Sequence, residues 1–400
     1  MENTVNLNNL RAAFSYKKNK ELRHTYYIFK ALQHPSLVKV LSVLTNGILK
    51  YSILVRILVR NTVFRVFCSG ESVSEAFSTI KRLEYYKVKS VLDYVAEGEK
   101  TNKIFKYNTE IILENIRKLS REAPGNSISV KFTSLEDPEY FKLINKSPVD
   151  AISFGKLRYE TFMKRIDSIC CTAMETKVVV YFDAEYSNTQ DFFDLITEEM
   201  MKKYNKSEAI VYNTLQMYLS DRLEYLDHLL NDSVMNHYFP GIKLVRGAYV
   251  EKEREIAKRE NRLSPVYATK ELTDFAFNKA LDICLKQHSR VFTCIASHNE
   301  PSTLLAIAGI EKYNIADHYK KVKFSQLYGM RDNLTFNLAA KGYNASKYLP
   351  YGEVKKAIPY LTRRAQENSS IGEQLAVELV RLKNEITRRK SLEREIRRPN

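Results

Sequence analysis

The chain has 400 residues, is 44% hydrophobic and carries a formal charge of +16. It can therefore bury a full core as one large domain or two ordinary ones, and a mainly disordered protein is excluded. The charge suits an anionic small molecule, a membrane surface or nucleic acid without selecting among them, while five cysteines without a CxxC pair and seven histidines without an HExxH spacing argue for a reduced compartment and against a metal centre.

At the start, "MENTVNLNNL" has no apolar signal region, and an acid with no arginine before Arg11 is unlike a transit peptide. Between Pro35 and Phe67 the chain is rich in Leu, Val and Ile, but Lys39, Lys50, Arg56 and Arg60 interrupt it. No run reaches the roughly 18 apolar residues of a membrane span. An amphipathic segment that packs on the body, or rests on a membrane surface, fits this pattern. Residues 1–85 are expected to form a helical arm.

Eight stretches then have strand character: "KSVLDYV", "SISVKFTS", "KVVVYFDAE", "AIVYNT", "GIKLVRGAY", "RVFTCIAS", "KVKFSQL" and "YNASKYLPYG". Most are near-continuous apolar runs, as in parallel strands buried on both faces. Helical patterns lie at 101–120, 138–172, 189–203, 217–230, 265–287, 301–313, 330–340 and 353–368. Eight strands each followed by a helix predict an α/β fold, a closed (β/α)₈ barrel over residues 86–370. An open doubly wound sheet is disfavoured, since neither GxGxxG nor GxxxxGK[ST] occurs. Residues 371–400 read as a closing helix and a basic tail, with "RRK" and "IRRP" exposed.

In such barrels the site is built at the carboxyl ends of the strands. Strand two ends near Lys131 and strand three at Asp183 and Glu185. Strand four leads to Gln216, and strand five ends in Arg246, Gly247, Ala248 and Tyr249. Strands six, seven and eight contribute Ser297 and His298, Gln326, and Tyr348. One such residue alone is an ordinary helix cap or a satisfied hydrogen-bonding group; their joint occurrence at one rim indicates a site. Near the carboxyl end, Arg363 and Arg364 are adjacent in a helix, about 100° apart, with Glu367 one turn on. Either one is solvated and the other pairs with Glu367, or both converge on one anion.

The ordered set "ISVKF", "YFDAEY", "KLVRGAY", "IASHNE", "FSQLYGM", "YLPYG" and "PYLTRRAQENSS" resembles the proline dehydrogenase family, from roughly Ala13 to Leu382. The resemblance implies a distorted (β/α)₈ TIM barrel with the last helix over the mouth. It also implies FAD as cofactor, oxidation of L-proline to Δ1-pyrroline-5-carboxylate, a quinone as electron acceptor and, in eukaryotes, a mitochondrial location with possible peripheral inner-membrane association. No nucleic acid or metal is expected. By matching motif, Lys131, Asp183 and Lys243 would be catalytic, Lys243 standing where many bacterial members carry an arginine near flavin N5. Arg363 and Arg364 would bind the substrate carboxylate, and Tyr249, Leu327, Tyr348 and Tyr360 would wall the proline pocket. Ala184, Gln216, Arg246, Gly247, Ala248, Ser297, His298 and Glu367 would form the FAD-binding set, with Glu367 also orienting one of the two arginines. Gly247 is expected to admit the cofactor through its missing Cβ.

Three other readings remain at this stage. A serine in place of Tyr348 would mark the hydroxyproline branch of the family. A lysine ending a barrel strand, as Lys131 does, also suits a Schiff-base aldolase. A basic, non-enzymatic scaffold would show clustered charge without an organised polar rim.

Overall fold

The structure, a computed structural model, describes residues 5–34, 53–95, 100–146, 155–370 and 372–396. The first part of the amphipathic stretch, residues 35–52, and all but Ile396 of "IRRP" lie outside the described residues. Eight parallel strands close a barrel in sequence order: β1 (Lys89–Tyr94), β2 (Ser127–Val130), β3 (Val179–Phe182), β4 (Val211–Gln216), β5 (Gly241–Val245), β6 (Phe292–Ala296), β7 (Val322–Leu327) and β8 (Asn344–Tyr351). The register pairs Asp93 with Ser129, Val130 with Phe182, Gln216 with Val245 and Ala296 with Ser325. The residues that follow the apolar runs are thereby brought level at one end.

By its contacts the chain forms two compact units, one of Val91–Tyr94 with Gly98–Ser325 and the other of Met1–Ser90, Val95–Glu97 and Gln326–Asn400. In the first, alternate strand positions serve opposite faces. Phe182 of β3 stacks on Phe132, which also meets Phe193, so this face carries an aromatic layer between strand and helix. Thr101, Thr269 and Asn299 start helices by accepting the amides of Ile104, Leu272 and Ser302.

Over 138–172 the described residues form the helices Pro138–Lys146 and Lys156–Thr176, and residues 147–154 lie outside the described residues. The helix after β4 begins at Arg222, because Met217 and Tyr218 spend their amides on the Val245 and Arg246 carbonyls and Leu219 bridges to Val266.

Lys323 of β7 sits over two buried rings, its ammonium 5.2 Å from the Tyr212 centroid and 5.9 Å from that of Tyr181. Burial pushes its pKa from 10.5 down to about 8, with Cys294 and Glu208 acting the other way. The unfolded chain then holds more protons between those two values, so stability rises with pH across that window. Lys323→Met is expected to abolish this rise, as read from urea midpoints on either side of the window.

In the second unit, Phe14, Leu22, Phe29, Phe67, Leu361 and Leu382 belong to one apolar core. There the N-terminal helix Asn19–Leu32 packs against the C-terminal helix Gly372–Ile396. The "RRK" run is consequently not all exposed tail. Arg389 donates to the carbonyls of Phe14 and Lys17, and it pairs with the fully buried Glu385 at 2.7 Å. The cause is geometric: Glu385 and Arg389 are one helical turn apart on the face that meets the arm.

Candidate active site

Four charges meet at the carboxyl ends of β1, β2 and β3 and in β5. The Lys131 ammonium lies 3.0 Å from Asp93 Oδ1 and 3.9 Å from Asp183 Oδ2, while the Lys243 ammonium donates to Asp183 Oδ1 at 2.6 Å. Two cations thus face two carboxylates, and Asp183 bridges both lysines. Asp93 and Lys243 are the most buried of the four. Burial alone would lower the Lys131 pKa, but the attraction of Asp93 and Asp183 outweighs it and holds the ammonium well above its ordinary value. Burial likewise opposes the Asp183 carboxylate, yet Lys243, Lys131 and a hydrogen bond from Ser129 keep its pKa below the ordinary range. The two carboxylates thus favour the charged form of Lys131 over the neutral amine that a Schiff base or a general base requires.

Next to this square, Glu185 accepts the Thr133 amide at 3.1 Å and the Thr133 hydroxyl at 2.6 Å. Burial pushes its carboxyl up despite those bonds. The Gln216 amide donates to the Glu185 carbonyl at 2.7 Å, which joins the ends of β3 and β4. Ala184 lies between the two acids and is half-buried.

Arg246, immediately after β5, is held by three partners of its own unit: Asp274 at 2.6 Å, the Ser297 hydroxyl at 2.8 Å and the Ser302 hydroxyl at 2.9 Å. Ser297 also accepts the Asn299 amide, so the start of the helix after β6 is tied to Arg246, with His298 between. Gly247 has φ +124°, and a Cβ there would collide with the Tyr218 ring. Its missing side chain makes room for a protein ring and a backbone turn, whatever else it admits. Ala248 is exposed, and the Tyr249 ring lies 4.7 Å from that of Tyr186.

In the other unit Leu327 ends β7, Tyr348 lies in β8, and Tyr360 is buried in the helix Val354–Ser370. Gln326 accepts the Thr335 hydroxyl at 2.8 Å. Arg363 is half-buried in the same helix as Tyr360. The side chains of Arg364 and Glu367 lie outside the described residues.

Asp93 is the residue the sequence reading passed over. Its signal was the same as for the others, an acid where the apolar run "SVL" stops.

Residues 76–376 match the model of the proline dehydrogenase family. The chain belongs to the proline dehydrogenase family. Proline dehydrogenase 1, mitochondrial, of Dictyostelium discoideum is 33% identical over 375 residues, covering 83% of this chain and 65% of that one. The protein of the same name in Drosophila melanogaster is 37% identical over 241 residues, 58% of this chain and 35% of its own. The chain thus spans only part of the length of these two curated relatives. Hydroxyproline dehydrogenase of Xenopus laevis is 28% identical, covering 94% of this chain and 88% of the relative. Among solved structures, proline utilization A from Bdellovibrio bacteriovorus matches over 90% of this chain and 38% of its own, with a TM-score of 0.72 at 21% identity, a likeness of fold. Among the described residues no helix is long and apolar enough to cross a membrane, and no group of acids, cysteines and histidines could hold a metal ion.

The donor set fits a family flavin. Lys243, Arg246 and the Gln216 amide place positive charge and hydrogen-bonding groups at the strand ends, which suits an electron-rich ring and a pyrophosphate. The buried Asp93 Oδ2 has no hydrogen-bond partner, so the rim also offers an acceptor.

Proposed function

We propose that this chain oxidises L-proline to Δ1-pyrroline-5-carboxylate with FAD, and that a quinone takes up the electrons. The observation that carries this reading is the charge-balanced square Lys131–Asp93–Asp183–Lys243, at the strand ends of a chain matched to the family over residues 76–376. When bound, FAD supplies the two-electron acceptor for the hydride on the carbon next to the ring nitrogen. Lys243, Gln216, Ala184, Arg246, Gly247, Ala248, Ser297 and His298 would hold it. Arg363 and Arg364 would bind the substrate carboxylate with Glu367 orienting one of them, and Leu327, Tyr348, Tyr360 and Tyr249 would give the ring apolar walls.

Most of the work left to the protein is orientation and electrostatics. The cation favoured at Lys131 would disfavour a second cation beside it, so the proline amine would be bound in its neutral form, ready for the hydride to leave. Asp183 keeps both lysines in place. A mitochondrial location accords with the printed names of the Dictyostelium and Drosophila relatives, and peripheral association at the inner membrane is proposed with it from the family resemblance alone.

The test is direct. The purified chain should be yellow, lose its flavin absorbance with L-proline in the absence of oxygen, and recover it on adding a soluble quinone. A chain that takes up no flavin, or whose flavin proline does not reduce, would remove the proposal.

The hydroxyproline relative gives a second reading a specific basis, and Tyr348 separates the two. Its ring would occupy the space where a 4-hydroxyl would stand, and an apolar wall discriminates by about 1–3 kcal/mol. Proline should therefore be preferred over 4-hydroxyproline by roughly 10- to 100-fold in kcat/KM. Tyr348→Ser should narrow that gap while lowering efficiency with proline. Equal efficiencies in the unsubstituted chain would move it to the hydroxyproline branch.

A further inference from the structure

In the unit of residues 1–90, 95–97 and 326–400, a second charged network joins the N-terminal arm to the residues beside Leu327 and Tyr348. Asp332 is 1% exposed and begins the helix after β7. Its Oδ2 accepts from Lys17 at 2.9 Å and from the Tyr16 hydroxyl at 2.9 Å, and its Oδ1 lies 2.8 Å from the fully buried Lys347 ammonium of β8. Lys347 reaches back with the same ammonium to the carbonyls of Met330, at 2.5 Å, and Leu327, at 3.4 Å. The neighbouring Tyr328 amide donates to the Tyr348 carbonyl at 3.0 Å.

This wiring has a direction. Leu327 and Tyr348, assigned above as pocket walls, are held by the amide of Tyr328 and the ammonium of Lys347. Lys347 depends on Asp332 for its counter-charge. Asp332 in turn is also paired with Lys17, which Arg389 fixes through the Lys17 carbonyl at 2.8 Å. Tyr16 is locked by its stacking on Phe336, 4.3 Å between ring centres at 12°. An ordinary structural ion pair needs one partner for each charge. Here one buried carboxylate is shared by two lysines, one from the N-terminal arm and one beside Tyr348, so loss of the arm's lysine alters the balance felt by the other.

We propose that Lys17 and Tyr16 are positioning residues for the substrate pocket: acting through Asp332 and Lys347, they set the place of Leu327 and Tyr348. The N-terminal arm is on this account a part of substrate recognition in addition to being a cover for the apolar core. The inference rests on the proposed role of Leu327 and Tyr348 in walling the proline ring.

The experiment uses the full chain with its flavin and compares Lys17→Met, Lys17→Arg and Tyr16→Phe with the unsubstituted protein. Lys17→Met should raise the KM for proline by about tenfold while kcat falls by no more than about threefold, the pattern of lost ground-state positioning. Lys17→Arg, which keeps the charge, should recover a large part of the KM. Amide hydrogen exchange should quicken at Tyr328 and Met330 and stay unchanged in β2 to β6. Tyr16→Phe removes one hydroxyl only, and it should show the same two changes at smaller amplitude; it decides the matter if Lys17→Met does not fold. Unchanged KM together with unchanged exchange at Tyr328 overturns the proposal. If exchange quickens as expected but proline fails to reduce the flavin of the unsubstituted chain, the lock stands and the assigned substrate falls.

Discussion

Arg363→Met should weaken proline binding by about 2–5 kcal/mol, the cost of removing one partner from a desolvated, hydrogen-bonded charge pair, which is roughly a 30-fold or greater rise in KM. Arg363 stands in the helix Val354–Ser370, two residues after Leu361 and three after Tyr360, both buried. It is itself half-buried, where a guanidinium is worth more than at an open surface. A planar fork can meet both oxygens of a carboxylate and stays charged at every working pH. Arg363→Lys should therefore recover only part of the loss, because a point charge does not reproduce the bidentate geometry. Flavin content should remain near that of the unsubstituted chain in both variants. The competing account treats Arg363 as one more ion-pair former on a helix surface, and such pairs contribute about 1 kcal/mol or less. Steady-state kinetics with flavin quantitation separates the two: a KM within about threefold of the original, less than 1 kcal/mol, would sink the carboxylate clamp.

The barrel was legible because the strands are near-continuous apolar runs and the residues ending them are polar. Lys131, Asp183 and Gln216 could be picked out on position alone, and the structure places each at a strand end. What position could not tell was pairing. That Lys243 in β5 would meet Asp183 after β3 at 2.6 Å depends on register and on side-chain length, neither of which a linear pattern carries. Asp93 went unnoticed although "SVLD" has the form of the other strand ends. Its weight comes from the Lys131 ammonium 3.0 Å away, a contact the local pattern does not carry. The network of Tyr16, Lys17, Asp332 and Lys347 was invisible for a plainer reason. Its two halves, Tyr16 with Lys17 and Asp332 with Lys347, lie over 300 residues apart in the chain, and nothing local marks a lysine that will be buried. Gly247 shows the converse: the sequence suggested why a glycine belongs there, and the backbone φ with the Tyr218 ring supplied a different physical reason.

The charge-balanced square makes the second large prediction, one in which stability and activity part company. Lys131→Met leaves Asp93 and Asp183 with one lysine between them, and that lysine, Lys243, is paired with Asp183. Asp93 is 2% exposed, so its carboxylate would be left buried without its cation, a change that costs about 3–5 kcal/mol. Adding Asp93→Asn removes the stranded charge and restores equal numbers of cations and anions, with Lys243 and Asp183 still paired. The double variant should therefore regain most of the lost stability, giving a coupling of about 2–3 kcal/mol between the two sites in a cycle of urea denaturation curves. Catalysis should not follow. If the cation at Lys131 keeps the proline amine neutral and the site pre-arranged, both the single and the double variant should lose on the order of 100-fold or more in kcat/KM, as for removal of a group acting through electrostatic pre-organisation. Asp93→Asn alone should be milder on both counts, because Lys131 retains Asp183 at 3.9 Å. Should the double variant regain activity along with stability, the square would be a packing device at a strand end and Lys131 would have no part in the reaction. Should the single variant be as stable as the original, Asp93 would not be the partner that fixes Lys131.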